Sequence, residues 1–234
     1  MQQSRLALAM SAVLAANMLF SASHVFAEDK EEGKEKRYEV TVTNLTRGQP
    51  FAPIAAISHN KDFELFMPGE PAIPALVPLV EDGNTGPLLE HVKTMPSVFA
   101  AVTNSLVDVD IPPGPGQAVT LQIKASGSFK LITVAGMLAT TNDAFWAVHG
   151  VEAPKKMGEA KTFEAVAYDA GSERNSELCG FIPGPPCAGP GVRDHVGSEG
   201  YVHIHAGIHG IGDLAPATFD WRNPVAEITI RRIH

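Results

Sequence analysis

The feature that most constrains this chain is a succession of short segments in which apolar and polar residues alternate, each bounded by Gly, Pro, Asn or Asp. In the first of them, Tyr38, Val40 and Val42 share one face. Alternation with a period of two is typical of a strand with one buried face. Further strands are predicted at 51–58, 106–111, 118–124, 129–137, 162–168 and 200–206, and in a last run with Ala226, Ile228 and Ile230. About eight strands at this spacing predict an all-β domain of two packed antiparallel sheets.

One segment departs from this alternation. Residues 72–80 and 88–92 are largely apolar without alternation, and the turn residues Glu81, Asp82, Gly83 and Asn84 lie between them. A short apolar run without a period of two favours helical turns over a half-buried strand. We expect these turns to lie across one edge of the sandwich.

The N-terminal residues are typical of a secretory signal peptide. Arg5 precedes an apolar run from Leu6 to Phe20, and a small residue, Ala27, stands before the charged Glu28. The run is shorter than the ~20 apolar residues that span a bilayer. We therefore expect a signal peptide at 1–27 and an exported mature chain with no transmembrane segment, in the periplasm, at the cell surface or secreted.

The mature chain is expected to contain one domain. Residues 28–37 carry no apolar side chain and predict a charged, flexible tether. Residues 38–234 are enough for a single core. Loss of Arg5 with the signal peptide changes the formal net charge from -8 to -9, and an acidic chain without a basic block argues against binding to nucleic acid.

Both cysteines, Cys179 and Cys187, lie in one short segment. In an exported chain a disulfide is the expected state of such a pair. Closing so short a loop stabilises a fold by about 2–3 kcal/mol in the chain-entropy picture. The bridge would also stiffen the segment that follows the Asp169 turn.

Two acidic turns are the best candidates for a cation site. Asp169 closes a predicted strand, Gly171 permits a sharp turn, and Glu173 can return toward the same point, while Asp143 closes another predicted strand. Calcium takes six to eight oxygen ligands at about 2.3–2.6 Å, so carboxylates from two loops suit it. The alternative is an ordinary turn in which a solvent-exposed Glu173 pairs with Arg174.

A second candidate site is a histidine-rich segment. His203 and His205 stand two residues apart on a predicted strand and could both bind zinc or copper, with His209 or His195 as a third ligand. The alternative is a polar strand face toward solvent, with Val202 and Ile204 inward.

The ordered succession of short motifs resembles the spondin N-terminal domain family over about residues 38–233. The motifs that carry the resemblance are Ser58-His59, Phe66-Met67-Pro68-Gly69, Val80-Glu81-Asp82-Gly83-Asn84, Gly136-Met137-Leu138, Thr141-Asn142-Asp143-Ala144-Phe145, Tyr168-Asp169-Ala170-Gly171-Ser172-Glu173-Arg174-Asn175 and Asp220-Trp221-Arg222-Asn223-Pro224-Val225-Ala226.

The resemblance implies an antiparallel eight-stranded β-sandwich similar to calcium-dependent phospholipid-binding domains, with calcium held at one end. It implies Asp143, Asp169 and Glu173 as the calcium carboxylates, where an animal relative has aspartate in place of Glu173. In extracellular-matrix relatives the domain serves adhesion or recognition and is not catalytic.

These observations predict a non-enzymatic, calcium-binding module that recognises a protein, glycan or surface partner. No Gly-x-Ser-x-Gly, phosphate-binding glycine loop or His-Glu-x-x-His motif occurs in the sequence, so the common hydrolase and nucleotide signatures give no support to catalysis. The alternative function is a metalloenzyme or metal-handling protein that uses the His203/His205 segment.

Overall fold

Antiparallel β-strands make up most of the structure, a computed structural model that describes residues 33–104, 114–187 and 192–234. The nine strands of these residues run in the order β3-β2-β5-β6-β7-β9-β1-β4, and β8 pairs with β7. Their bounds are β1 Lys36–Asn44, β2 Phe51–His59, β3 Val98–Thr103, β4 Ala118–Ala125, β5 Leu131–Leu138, β6 Ala144–Glu152, β7 Ala160–Asp169, β8 His203–Ile204 and β9 Ala226–Arg232. The predicted all-β class is confirmed.

Strand β7 joins the two layers of the sandwich. Its first part, through Ala165, pairs with β9, and its last part, from Val166, pairs with β6. The outermost strands of the order, β3 and β4, are linked through Ser58 of β2. The Ser58 hydroxyl donates to the Lys124 carbonyl of β4 at 2.6 Å and accepts from the Ala100 amide of β3 at 3.1 Å. The strands therefore form one nearly closed sheet.

The main core lies between the layers and consists of alternate side chains from each strand. Trp146 is fully buried there, with its ring centroid 5.0 Å from that of Phe51. Strand β1 shows the expected pattern, with Tyr38, Val40 and Val42 buried and the residues between them partly exposed. Burial of such side chains is the principal stabilising contribution of the fold.

Two of the short helices cover the outer face of one layer. Helix α1 (Val77–Asp82) contacts β5, and helix α2 (Gly86–Lys93) contacts β3 at the end of that layer. Between helices and sheet lies a second apolar cluster that includes Leu79, Leu88 and Phe145. The predicted helical turns are thus present. A 3-10 turn at Cys179–Phe181 and helix α3 (Pro216–Phe219) complete the described elements.

The helix cover explains the two strands that alternation did not predict. In β6, Trp146 faces the main core while Phe145 faces the helices, so both faces are apolar. Such a strand shows a continuous apolar run, and β3 has a similar composition. The strand predicted at 200–206 is reduced to the two residues of β8, and the strand predicted at 106–111 lies outside the described residues.

Strand β1 begins at Lys36, inside the segment expected to be a tether. Lys36 pairs with Ala125 and Arg37 with Lys124, because backbone pairing continues past the last apolar residue of the strand. The Lys124 ammonium also lies 3.0 Å from the Glu35 carboxylate.

In the part of the chain that the structure describes, no helix has both the length and the apolar character needed to cross a bilayer.

Candidate metal centre

Asp143 and Asp169 lie side by side because each stands at the end of a strand and the two strands are neighbours. Asp143 immediately precedes β6, and Asp169 is the last residue of β7. The register pairs Ala144 with Asp169, and the Ala170 amide donates to the Asp143 carbonyl at 3.3 Å. The structure thus brings together the two acidic turns that the sequence suggested as partners.

The Asp143 carboxylate is fully buried and hydrogen-bonded on one side. Its Oδ2 accepts from the Ser172 amide at 2.7 Å, the Ser172 hydroxyl at 3.2 Å and the Glu173 amide at 2.9 Å. Its Oδ1 is buried and has no hydrogen-bond partner among the described residues. A buried carboxylate oxygen is costly unless a donor or a cation faces it. A cation at Oδ1 would therefore be stabilising.

Glu173 shows the same asymmetry. Its Oε1 accepts from the Asp194 amide at 2.8 Å, whereas its Oε2 is buried and meets no donor in the described part of the chain. The side chain has no exposed surface, so the alternative of a solvent-exposed glutamate is wrong. Burial follows from the turn, whose Glu173 amide is held against Asp143.

Asp169 is buried and fully hydrogen-bonded. It accepts from the Gly171 amide at 2.7 Å and from the Asn175 side-chain amide. Gly171 has a φ of 64°, and a side chain there would lie 2.3 Å from the Tyr201 carbonyl oxygen, so the turn requires glycine. The tight turn returns the chain to Asp143 within a few residues.

Burial weakens the acidity of all three carboxyls, and the negative charge of neighbouring acids adds to this at Asp143 and Glu173. Burial, followed by the negative charge of Asp169, raises the pKa of Asp143 to about 8. Burial also raises the pKa of Glu173 to about 8, and the charges of Glu81 and Asp143 add to the increase. Burial raises the pKa of Asp169 as well. Without a cation, the ionised site is unfavourable.

The described residues provide no lysine or arginine to balance this charge. Among their ion pairs, none joins a lysine or arginine to Asp143, Asp169 or Glu173. The three carboxylates therefore differ from a structural salt-bridge network, in which each buried acid has a cationic partner.

Glu81 is a fourth buried acid that the sequence suggested only as part of a turn. It lies near the end of α1, its Oε2 is 3.1 Å from Arg193 Nε, and its Oε1 has no hydrogen-bond partner in the described structure. Its charge acts on Glu173. In the sequence Glu81 belongs to the motif Val80-Glu81-Asp82-Gly83-Asn84, directly after an apolar run, and it was not among the predicted calcium ligands.

The histidine segment lies against the same site. His203 Nε2 and His205 Nε2 are each 3.8 Å from an oxygen of Asp169, whereas His209 Nε2 is 3.3 Å from the Ala206 carbonyl. The alternative of a polar strand face, with His203 and His205 toward solvent and Val202 and Ile204 inward, is correct for Val202, which is fully buried, and wrong for His205 and Ile204. His205 is 7% exposed and Ile204 is 54% exposed, because only two residues of this segment pair with β7.

One group of ligand atoms is close enough to hold a metal ion as it stands. Asp169, Glu199 and His203 each offer an atom within 4.8 Å of the others, and this is the one such group of three found among the described residues. Asp143 and Glu173 are not in it. Glu199 was not singled out by the sequence, because it lies in a loop outside the recognised motifs.

The predicted Cys179–Cys187 disulfide is present, with an S–S distance of 2.04 Å. Its loop contacts the segment that leads to Asp143, since the Gly184 amide donates to the Ala139 carbonyl at 2.8 Å and the Thr140 hydroxyl donates to the Pro185 carbonyl at 2.6 Å. The bridge therefore braces the acidic end of the sandwich.

A scan of the sequence against protein-family models finds no match, and a search of curated proteins finds none either. The resemblance to the spondin N-terminal domain family consequently stays a prediction that rests on the motifs themselves.

Proposed function

We propose that the protein is an exported, non-catalytic β-sandwich module of the spondin N-terminal type, and that it binds calcium at Asp143, Asp169 and Glu173. The observation that supports it best is a pair of buried oxygens, Asp143 Oδ1 and Glu173 Oε2, that meet no hydrogen-bond donor among the described residues. Three carboxylates from two adjoining turns supply the oxygen ligands that a hard divalent cation prefers.

Calcium at this site would order a loop that presents apolar side chains. The Asp194 amide donates to Glu173, and the Arg174 amide donates to the Asp194 carbonyl, so the loop is tied to the site at Glu173. Val196 is 83% exposed in that loop and Tyr201 is 45% exposed at its end. Exposed apolar residues beside a cation site suit the recognition of a protein, glycan or surface partner.

Calcium binding is tested by calorimetric titration of protein first stripped with a chelator. We expect about one calcium per chain and a rise in the melting temperature of roughly 5–10 °C at a hundredfold excess over the dissociation constant. An equal melting temperature in calcium and in chelator, with no heat of binding, would refute the proposal.

Recognition is tested separately from metal binding. The calcium-loaded protein is applied to glycan arrays and to extracellular and cell-surface protein fractions, beside the variants Val196→Asp and Tyr201→Ala. We expect binding that requires calcium and falls in both variants, while their calcium titrations stay unchanged. Binding that is indifferent to calcium and to both substitutions would contradict the proposed role of the loop.

A further inference from the structure

The His203 ring is held in the orientation of a metal ligand. Its Nδ1 lies 3.1 Å from the Ile204 carbonyl oxygen. A carbonyl oxygen only accepts hydrogen bonds, so Nδ1 carries a proton, and in the neutral ring Nε2 keeps its lone pair. That lone pair is on the nitrogen that lies 3.8 Å from Asp169 Oδ1. An imidazole that donates through one nitrogen to a backbone carbonyl and offers the other is the usual arrangement of histidine at a metal.

The His205 ring is held in the opposite way. Its Nδ1 accepts a hydrogen bond from the Gly207 amide at 2.9 Å, so in the neutral ring the proton is on Nε2. The protonated nitrogen is the one near Asp169, 3.8 Å from Oδ2. His205 therefore turns its protonated nitrogen, and not a lone pair, toward Asp169, so it is not placed as a ligand.

His209 does not complete a histidine site. Its Nε2 is bonded to the Ala206 carbonyl, and its ring belongs to no group of three ligand atoms found in the described residues. The alternative site of His203 and His205, with His209 as the third ligand, is thus not assembled. The residues that do come together at His203 are Asp169 and Glu199.

We infer that Asp169, Glu199 and His203 form a second cation site, which takes a divalent transition metal such as Zn²⁺, Ni²⁺ or Co²⁺. The ligand atoms lie within 4.8 Å of one another, a spacing that a single ion can bridge. An imidazole nitrogen favours these ions over calcium, whose ligands are oxygens. Both cysteines of the chain are in the disulfide, so no thiolate competes for the metal.

The site opens to solvent on one side. Asp169 is buried, His203 has 29% of its side chain exposed, and Glu199 is exposed. Three protein ligands leave at least one position for water on a tetrahedral ion. The Asn175 side-chain amide contacts both carboxylates, with 3.4 Å to Glu199 Oε1, and so orients them toward each other.

This inference goes beyond the proposed calcium site, with which it shares Asp169 alone. The two sites are therefore separated by substitutions at their other ligands. Asp143→Asn tests calcium, whereas His203→Ala and Glu199→Gln test the transition metal. Cobalt is a suitable probe, since its visible absorption reports coordination by imidazole and carboxylate directly.

The experiment titrates Co²⁺ into metal-stripped protein that carries no polyhistidine tag, in saturating calcium, and follows absorption and calorimetric heat. We expect one equivalent bound by the unmodified chain. Binding should weaken by at least about tenfold in His203→Ala and in Glu199→Gln, the loss typical even for residues that only support a ligand. His209→Ala is the matched control and should bind as the unmodified chain does.

Calcium titrations of the same variants complete the design. Unchanged calcium binding in His203→Ala and Glu199→Gln, with cobalt binding lost, would support two distinct sites. Absence of cobalt binding in the unmodified chain would overturn the inference, as would equal cobalt affinity in His203→Ala. An equal loss in His209→Ala and His203→Ala would also overturn it, in favour of a site built from the three histidines.

Discussion

The two ends of strand β6 hold buried polar clusters that are built in opposite ways. Near one end, His149 Nε2 accepts from the Leu65 amide at 2.9 Å. Beside it, His59 donates to the Asn60 carbonyl at 2.7 Å and accepts from the Thr133 hydroxyl at 2.8 Å. At the other end, Asp143 and Glu173 each have one buried oxygen with no partner in the described residues.

The difference separates a structural cluster from a binding site. Buried polar groups that hydrogen-bond one another stabilise and specify a fold, and they need nothing further. Buried acids that share a site without enough donors are destabilising unless a ligand supplies the missing charge. Both ends contain buried titratable groups. The feature that points to a cation is therefore that Asp143 Oδ1 and Glu173 Oε2 meet no hydrogen-bond donor in the described part of the chain.

The largest expected effect is at the end of β6 that holds His59 and His149, which we call the imidazole end. The Thr133 hydroxyl donates to His59 and accepts from the Gly150 amide at 2.9 Å. Thr133→Val keeps the shape of the side chain but removes the hydrogen-bond partner of the buried His59 Nε2 and of the half-buried Gly150 amide. We expect a loss of about 3 kcal/mol in the free energy of unfolding, measured by urea denaturation.

The same variant should respond to calcium as the unmodified chain does, because the cluster around Thr133 takes no part in the acidic site. A calcium-dependent gain in stability that differs between Thr133→Val and the unmodified chain would show that the two ends are coupled.

The next effect is at the acidic end. Calcium at a hundredfold excess over its dissociation constant should raise the free energy of unfolding by about 2.7 kcal/mol, the calcium increment, and Asp143→Asn should remove this gain. The asparagine oxygen can still accept from Ser172 and Glu173, and its amide replaces the unpaired Oδ1. The metal-free protein should therefore be no less stable than the unmodified chain. Thermal melts with calcium and with chelator measure both quantities.

A metal-free Asp143→Asn protein that is much less stable than the metal-free unmodified chain would contradict this account. It would place Asp143 with the structural clusters rather than with the ligands.

The strands that sequence predicted well are those with one polar face. In β1 and β9 the buried residues alternate with partly exposed or exposed ones, so the period of two is visible. Strands β3 and β6 were missed because helices or loops cover their second face, and tertiary burial removes the alternation. No local signal in the sequence reports which strands a helix will cover.

The candidate site also combines features that the sequence suggested with features that it did not. The sequence suggested that the turns of Asp143 and Asp169 meet, because each follows a strand-like run. In the structure they meet because Asp143 precedes β6, and the antiparallel pairing places the end of β7 beside the start of β6. Glu81 and Glu199 reach the site from a helix and a loop that are distant in sequence. Their approach depends on how those segments pack on the sheet, which spacing alone does not encode.

The disulfide should contribute somewhat less to the free energy of unfolding than calcium does. Its loop packs against Ala139 and Thr140, just before Asp143. Replacing both Cys179 and Cys187 by alanine should lower the free energy of unfolding by about 2.5 kcal/mol and weaken calcium binding. Unchanged calcium affinity in the double variant would show that the bridge does not brace the site. Thr133→Val serves as the control of similar stability loss that leaves calcium affinity unchanged.

The smallest effect is the pH dependence of the imidazole end. Burial lowers the pKa of His59 and of His149 below the usual 6.5. Both rings are neutral above pH 6.5 in the folded and unfolded states, so their contribution to stability is fully present there. As the pH falls from 6.5 through the lowered pKa values, the unfolded state binds protons first and that contribution is lost.

His149→Gln removes one titrating group but keeps an acceptor for the Leu65 amide. The drop in melting temperature between pH 7.5 and pH 5 should therefore be smaller in this variant, in saturating calcium, than in the unmodified chain. His91→Gln, at an exposed position on α2, is the matched control and should show the full drop. Equal drops in all three proteins would mean that the imidazole end does not oppose protonation. In that case the neutral hydrogen-bond pattern assigned to His149 would be incorrect.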